Sequence, residues 1–117
     1  MDNRVKSGLL TVVLPAYNEE KSVPRAAVTI AGLLREEEIE YELLFVDDGS
    51  KDRTWQMVLE ASAADARVRG VRFSRNFGKE AAIFAGLAQA GGACVVVMDC
   101  DLQHPPEKVI EMYRLWQ

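Results

Sequence analysis

The stretch "MDCDLQHPP", residues 98–106, sets Asp99 and Asp101 one residue apart at the end of an apolar run. Two carboxylates this close repel each other, and near low-dielectric surroundings that repulsion is offset by a cation, by basic side chains or by proton uptake. Together with the amide oxygen of Gln103 they form an all-oxygen donor set. Such a set suits Mg²⁺ or Mn²⁺ better than zinc, and it leaves coordination positions open for water or substrate phosphates. The same residue types also suit an Asp-rich turn that ends a strand by bonding neighbouring backbone N–H groups. Three further polar clusters accompany this one: Tyr17, Asn18 and Glu19 in "LPAYNEE", Asp47 and Asp48 in "VDDGS", and Asn76, Gly78 and Lys79 in "RNFGKEAA". Tyr17 can stack on a base or pack on a sheet edge. Asp47 and Asp48 can accept hydrogen bonds from a base N–H or a ribose hydroxyl, or cap a helix. "RNFGKEAA" lacks the spacing of a P-loop, so Lys79 is a helix-start residue that can also neutralise a phosphate. His104 has no His or Cys partner at ligand spacing and reads as a turn or acceptor contact rather than a zinc ligand.

Each cluster follows a strand candidate. Apolar runs cover Leu9 to Leu14, Tyr41 to Asp47, "VRGVRFS" at 68–74 and "GGACVVVMD" at 91–99. The last of these is expected to be a buried, almost wholly desolvated strand, and Pro15 is expected to end the regular ladder of the first. Between the runs, Val23, Ala27, Ile30, Ala31 and Leu34 fall on one side of a helix. Trp55, Val58, Leu59 and Ser62 fall on one side of a second, which Asp52 or Ser50 can cap. "KEAAIFAGLAQA" predicts a third helix, and Pro105 and Pro106 introduce a fourth. Tyr113 and Trp116 are expected to face core, and the acidic run 36–40 to be a solvated helix end. Alternation of strand and helix predicts an α/β fold: a Rossmann-like, mostly parallel sheet with helices on both faces. The carboxyl ends of parallel strands share one edge, where ligands bind, so the four clusters are expected to build one site.

With 117 residues and 49% hydrophobic composition, the chain is sized for one domain with a modest core. It is short for an enzyme that binds two substrates, so residues 1–117 are expected to be a portion of a larger catalytic domain with an unsealed sheet edge that favours self-association. A formal net charge of -4, from 14 Lys+Arg against 18 Asp+Glu, supplies no basic field for nucleic acid. No nucleic-acid partner is expected, and phosphate binding must be local. The two cysteines, Cys94 and Cys100, describe neither a disulfide framework nor a zinc site, which points to a reducing cytoplasm. No run approaches the roughly 18 apolar residues of a membrane span, and "MDNRVKSG" has no apolar core of a secretion signal. Any membrane association is expected from regions outside this segment.

The order and spacing of "LPAYNEE", "VDDGSKDRT", "RNFGKEAA" and "DCDLQHPPE" resemble the successive motifs of the inverting family 2 glycosyltransferases. The resemblance is strongest to the branch containing dolichyl-phosphate mannose synthase and the bacterial undecaprenyl-phosphate glucosyltransferases. It extends over nearly the whole chain and implies the N-terminal, nucleotide-sugar-binding part of a glycosyltransferase A fold. It implies that Pro15, Tyr17, Glu19 and Asp47 lie near the nucleoside and that Asp48 helps to hold that pocket; Lys79, by its charge at the helix start, is expected to serve the phosphates of the same nucleotide. It further implies that Asp99, Asp101 and Gln103 lie at a Mg²⁺ or Mn²⁺ ion and the diphosphate, the two aspartates being the catalytic pair through that metal. The donor implied is a UDP- or GDP-linked sugar and the acceptor a polyprenyl phosphate, with reaction at the cytoplasmic face of a membrane. His104 departs from the Asp often found there, which bears on fine substrate assignment more than on the metal. Other functions remain open on the residues alone. A dinucleotide-dependent oxidoreductase requires a glycine fingerprint that "LPAYNEE" lacks. A phosphatase would use Asp99 as nucleophile. Transfer to a glycan hydroxyl, or a non-catalytic nucleotide-binding or scaffolding role, would keep every motif.

Overall fold

The computed structural model describes residues 6–117; most of "MDNRVKSG" therefore lies outside the described residues. Four strands alternate with four helices: β1 (Lys6–Ala16), α1 (Ser22–Glu36), β2 (Tyr41–Asp47), α2 (Thr54–Ala64), β3 (Val68–Arg72), α3 (Lys79–Gln89), β4 (Gly92–Val97) and α4 (Glu107–Trp116). All strand pairs are parallel and the order across the sheet is β3-β2-β1-β4. The chain thus winds outward from β1 through β2 to β3, then crosses back to place β4 on the other side of β1. A crevice opens at such a reversal, at the carboxyl ends of β1 and β4.

The registers Leu10↔Tyr41 and Leu10↔Cys94 sort the side chains by face. On one face Leu10, Val12, Leu14, Leu43 and Phe45 meet Val23, Ile30 and Leu34 of α1, Val58 of α2, and Val109 and Tyr113 of α4. The stripe read from the sequence of α1 is buried in full, with Ala26 added. On the other face a smaller core joins Val13 and Val46 to Ala82 of α3. Here α3 lies so close that a Cβ on Gly86 would stand 2.3 Å from Cγ1 of Val13, so any side chain at 86 would lift the helix off the sheet. One buried charge sits near the amino ends of the strands. Glu42 accepts from the Thr11 hydroxyl at 2.6 Å, the Gly91 N–H at 2.6 Å and the Arg69 guanidinium at 2.8 Å, joining β1, β2 and β3 to the residue that precedes β4. Burial on its own raises the Glu42 carboxyl pKa, but the hydrogen bonds from Thr11, Arg69 and Gly91 outweigh it and hold the pKa below its ordinary value.

Several expectations are corrected. β1 does not stop at Leu14; it continues through Pro15, paired with Val46, to Ala16, paired with Asp47. The reason lies in the pleat. Ala16 accepts from the Asp48 N–H on the β2 side and Val13 accepts from the Met98 N–H on the β4 side, so Pro15, two residues past Val13, faces β4. The missing donor of Pro15 therefore falls beyond the last β1–β4 pair, Val13↔Val97, where no ladder bond is due. Nor is β4 desolvated throughout: it is an outer strand of the described sheet and its residues alternate, Cys94 and Val96 buried, Val95 and Val97 half-exposed. Leu59 is exposed, because α2 inserts only Thr54 and Val58 fully. Ser50 does not cap α2; Asp52 accepts from the N–H of Thr54, its first residue. Tyr113 is buried and donates its hydroxyl to the Gly8 carbonyl at 2.6 Å, whereas Trp116, one turn on, is 46% exposed. Within the acidic run 36–40, Ile39 is buried.

Candidate functional site

Three of the four turns at the carboxyl edge are laced together by hydrogen bonds. In the turn after β1, Asn18 takes a left-handed φ of 53°, which Asn tolerates better than most residues. Its N–H donates to the Ser50 hydroxyl at 2.8 Å and its side-chain oxygen accepts from the Lys51 N–H at 2.9 Å. The next N–H, of Glu19, donates to the Thr54 hydroxyl at 2.7 Å. The turn after β2 is fastened in the same way to the turn after β3. Asp48, 3% exposed, accepts from the Phe77 N–H at 2.8 Å, from the Gly78 N–H at 3.1 Å and from the Asn76 amide at 3.0 Å. Gly49 makes this fit possible: its φ is 72°, and a Cβ there would lie 2.2 Å from the Arg75 carbonyl carbon. Only glycine allows both the backbone conformation and the contact.

The loop held by Asp48 leads directly into α3, and its first residue, Lys79, reaches across the crevice. The ammonium of Lys79 lies 2.6 Å from Oδ1 of Asp99. Beyond Asp99 the chain turns tightly: Leu102 donates its N–H to the Asp99 carbonyl, the Gln103 N–H donates to Oδ1 of Asp101 at 3.2 Å, and Leu102 adopts a φ of 59°. Positive φ is costly for a bulky residue, and strain of this kind concentrates at functional turns. Cys100, between the two carboxylates in sequence, is buried. Its burial first, and then the negative charges of Glu19, Asp101 and Asp99, push its thiol up to about 12, so the sulfur stays protonated.

Pro15, Tyr17, Glu19, Asp48, Lys79, Asp99, Asp101 and Gln103 line one cavity of about 320 Å³. Eight of the nine residues expected at the nucleotide, diphosphate or metal thus meet in a single crevice. The ninth, Asp47, does not line it. As the last residue of β2 it is fully buried; Oδ1 accepts from the Ser50 N–H, Oδ2 has no hydrogen-bond partner, and the Arg72 guanidinium stands 4.0 Å away. Asn18, Ser50 and Thr54 hold the walls; the sequence offers Asn18 only as part of a polar cluster and Ser50 only as a helix cap, and it assigns Thr54 no role. Their signal was available: side chains that bond backbone, set in turns whose N–H groups need partners. Asp99, Asp101 and Gln103 offer carboxylate and amide oxygen to the cavity. That chemistry fits a hard divalent cation that keeps water or phosphate in its remaining positions. Among the described residues no three His, Cys, Asp or Glu side chains gather closely enough to form a closed cage for a metal.

A doubly wound parallel sheet with an acidic crevice at its switch point is a ligand-binding α/β architecture. The chain belongs to glycosyl transferase family 2, whose model matches residues 11–117. It is 44% identical over 107 residues to the uncharacterized glycosyltransferase YkcC of Bacillus subtilis, covering 92% of this chain and 33% of that protein. It is 42% identical over 105 residues to the undecaprenyl-phosphate 4-deoxy-4-formamido-L-arabinose transferase of Proteus mirabilis, covering 89% and 32%. The chain therefore spans about a third of the length of these curated relatives. Among solved structures, the mannosyltransferase PcManGT of Pyrobaculum calidifontis, in complex with GDP-Man and Mn²⁺, shares the fold with a TM-score of 0.71 at 23% identity, over 92% of this chain and 32% of that one. No helix among the described residues is long and apolar enough to cross a membrane.

Proposed function

We propose that this chain is the donor-binding part of an inverting glycosyltransferase that moves a sugar from a nucleoside-diphosphate sugar to a polyprenyl phosphate. The observation that carries the reading is the convergence of seven polar and aromatic side chains, with Pro15 beside them, from the carboxyl ends of all four strands on one crevice, with Asp99 and Asp101 at its β4 side. Tyr17 and Glu19 would meet the nucleoside, and Lys79 and the first turn of α3 would meet the diphosphate, where an ammonium and free helix N–H groups both favour negative charge. Asp47, buried beneath its turn, would act on the nucleoside side by holding the turn that carries Asp48, or by offering its unpartnered oxygen to a base. Asp99, Asp101 and Gln103 would hold Mg²⁺ or Mn²⁺. When bound, that cation supplies neutralisation of the charge that develops on the departing diphosphate. In the transfer, an oxygen of the acceptor phosphate forms the new bond to the anomeric carbon as the bond to the diphosphate breaks with its electron pair. A single displacement of this kind inverts the centre and needs no general base, because the attacking oxygen is already ionised.

The acceptor assignment draws on the similarity to the Proteus mirabilis transferase, whose acceptor is undecaprenyl phosphate by its name. A lipid acceptor puts the reaction at the cytoplasmic face of a membrane, with attachment supplied by protein outside residues 1–117. The donor half is tested by calorimetric titration of UDP- and GDP-sugars with and without Mn²⁺. Binding is expected to depend on the metal and to fall sharply in Asp101→Asn, whose exposed side chain contributes little to the fold. Equal affinity without metal, or in the variant, overturns it. The acceptor half is tested with a protein that extends over the relatives' full length, incubated with nucleotide-sugars and either polyprenyl phosphate or a glycan, products being identified by mass. An acid-labile lipid-phosphate sugar is expected; transfer only to a glycan hydroxyl overturns the acceptor and leaves the donor half standing.

A further inference from the structure

Four carboxylates line the crevice, those of Glu19, Asp48, Asp99 and Asp101, against the single ammonium of Lys79. Asp48 is already satisfied by three N–H groups, and Lys79 is committed to Asp99 at 2.6 Å. Among the described residues that pair is the side-chain bond joining the fourth turn to the other three; the remaining bonds of residues 99–103 stay within the turn. Lys79 and Asp99 also line a second, apolar groove of about 510 Å³ against His104, Lys108 and Met112, so the pair stands as the wall between two cavities.

We propose that Lys79 is the resident counter-ion of Asp99, that it gives up this carboxylate when a divalent cation binds, and that its freed ammonium then serves the donor diphosphate. The proposal rests on the donor-site reading above and adds an exchange to it. An anionic diphosphate cannot enter a cavity with this excess of negative charge until that charge is offset. The offset also makes the pairing of Lys79 redundant: a cation on Asp99 and Asp101 both takes the carboxylate and repels the ammonium. The move is easily made. The Lys79 side chain is 61% exposed, carries a flexible four-carbon stem, and leaves a pair of the exposed kind that holds weakly. Its backbone, in contrast, is fixed, because the preceding residues 76–78 are bonded to buried Asp48. A mobile charge on a fixed base stays within reach of the crevice in both states.

Exchange has a signature that a structural lysine lacks: loss of its charge acts in opposite directions on the two ligands. The test is titration of the chain with Mn²⁺ alone, followed by UDP and GDP at saturating Mn²⁺, for wild type, Lys79→Gln and the charge-retaining Lys79→Arg. Lys79→Gln is expected to bind Mn²⁺ about two- to five-fold more tightly, the size of an exposed ion pair that no longer competes. It is expected to bind the diphosphate about ten-fold more weakly, the size of a lost charge-assisted hydrogen bond. Lys79→Arg should stay near wild type for Mn²⁺. Equal or weaker Mn²⁺ binding by Lys79→Gln, with wild type binding normally, overturns the exchange and leaves the metal site intact. Tighter Mn²⁺ binding with unchanged diphosphate affinity overturns the second half. Absence of Mn²⁺ binding in both wild type and Lys79→Gln overturns the metal reading and the exchange with it, and absence of diphosphate binding to metal-loaded wild type overturns the donor reading and the transfer of the ammonium.

Discussion

Replacing Asp48 by Asn keeps size and shape and changes only what the buried group can accept. One carboxylate oxygen takes the Phe77 N–H at 2.8 Å; the other takes the Gly78 N–H at 3.1 Å and the Asn76 amide at 3.0 Å. An Asn can replace the first oxygen but must present its own NH₂ to the two donors that face the second. Two hydrogen bonds to a charged acceptor are lost, each worth about 1.5–3 kcal/mol. The exposed position of Asn76 and the partial exposure of Gly78 let water recover part of that loss. The expected cost is about 2–4 kcal/mol. For a chain of this size that corresponds to a fall in melting temperature on the order of 10–20 °C. Thermal unfolding followed by circular dichroism measures it, and amide hydrogen exchange localises it, since the N–H of Gly78 should lose protection while those of the β1–β2 ladder keep theirs. A cost under about 1 kcal/mol with unchanged protection at 78 refutes the view that this carboxylate fastens the loop before α3.

Two further outcomes follow, one from the buried carboxylate of Glu42 and one from Gly49 in the turn that carries Asp48. The Glu42 carboxyl has a folded pKa below its ordinary 4.5, so its contribution is complete above that value and is lost as pH falls through the folded pKa. Urea unfolding from about pH 7 to pH 3 should therefore show a shallower loss of stability for Glu42→Gln than for wild type, with the variant less stable by about 2–4 kcal/mol at neutral pH; parallel pH profiles would contradict it. Gly49→Ala should destabilise by about 2 kcal/mol or more, since it combines a left-handed φ with a 2.2 Å approach to the Arg75 backbone, and chemical unfolding of a variant close to wild type would contradict that fit.

Much of the architecture was legible because periodicity reports burial directly. Val23, Ile30 and Leu34 repeat at helical spacing and all face the sheet. The apolar run Leu43–Val46 of β2 matches a strand with both faces covered, since every residue from Tyr41 to Asp47 is buried. "ACVVVM" looks the same in sequence, yet half of β4 is open, because composition cannot say which strand lies at the outside of a sheet. Asp47 and Asp48 are also indistinguishable by type and differ by one step along a pleat and turn. One lies buried under its own turn and the other sits beside the cavity, and the deciding partners, Ser50 and residues 76–78, are bonds that no local pattern prints. The clustering of the four turns was legible from topology alone, and the lacing between them was not.

The pleat position of Pro15 has a consequence for the chain before it folds. A proline fixes its own φ and biases the preceding residue, Leu14, toward extended backbone. The unfolded polypeptide thus already favours the extended shape that these two residues keep where β1 passes the end of β4. Less conformational entropy is surrendered there than at an ordinary pair of residues. The rim of the crevice is in this sense written into the disordered ensemble, ahead of any contact with α3 or β4.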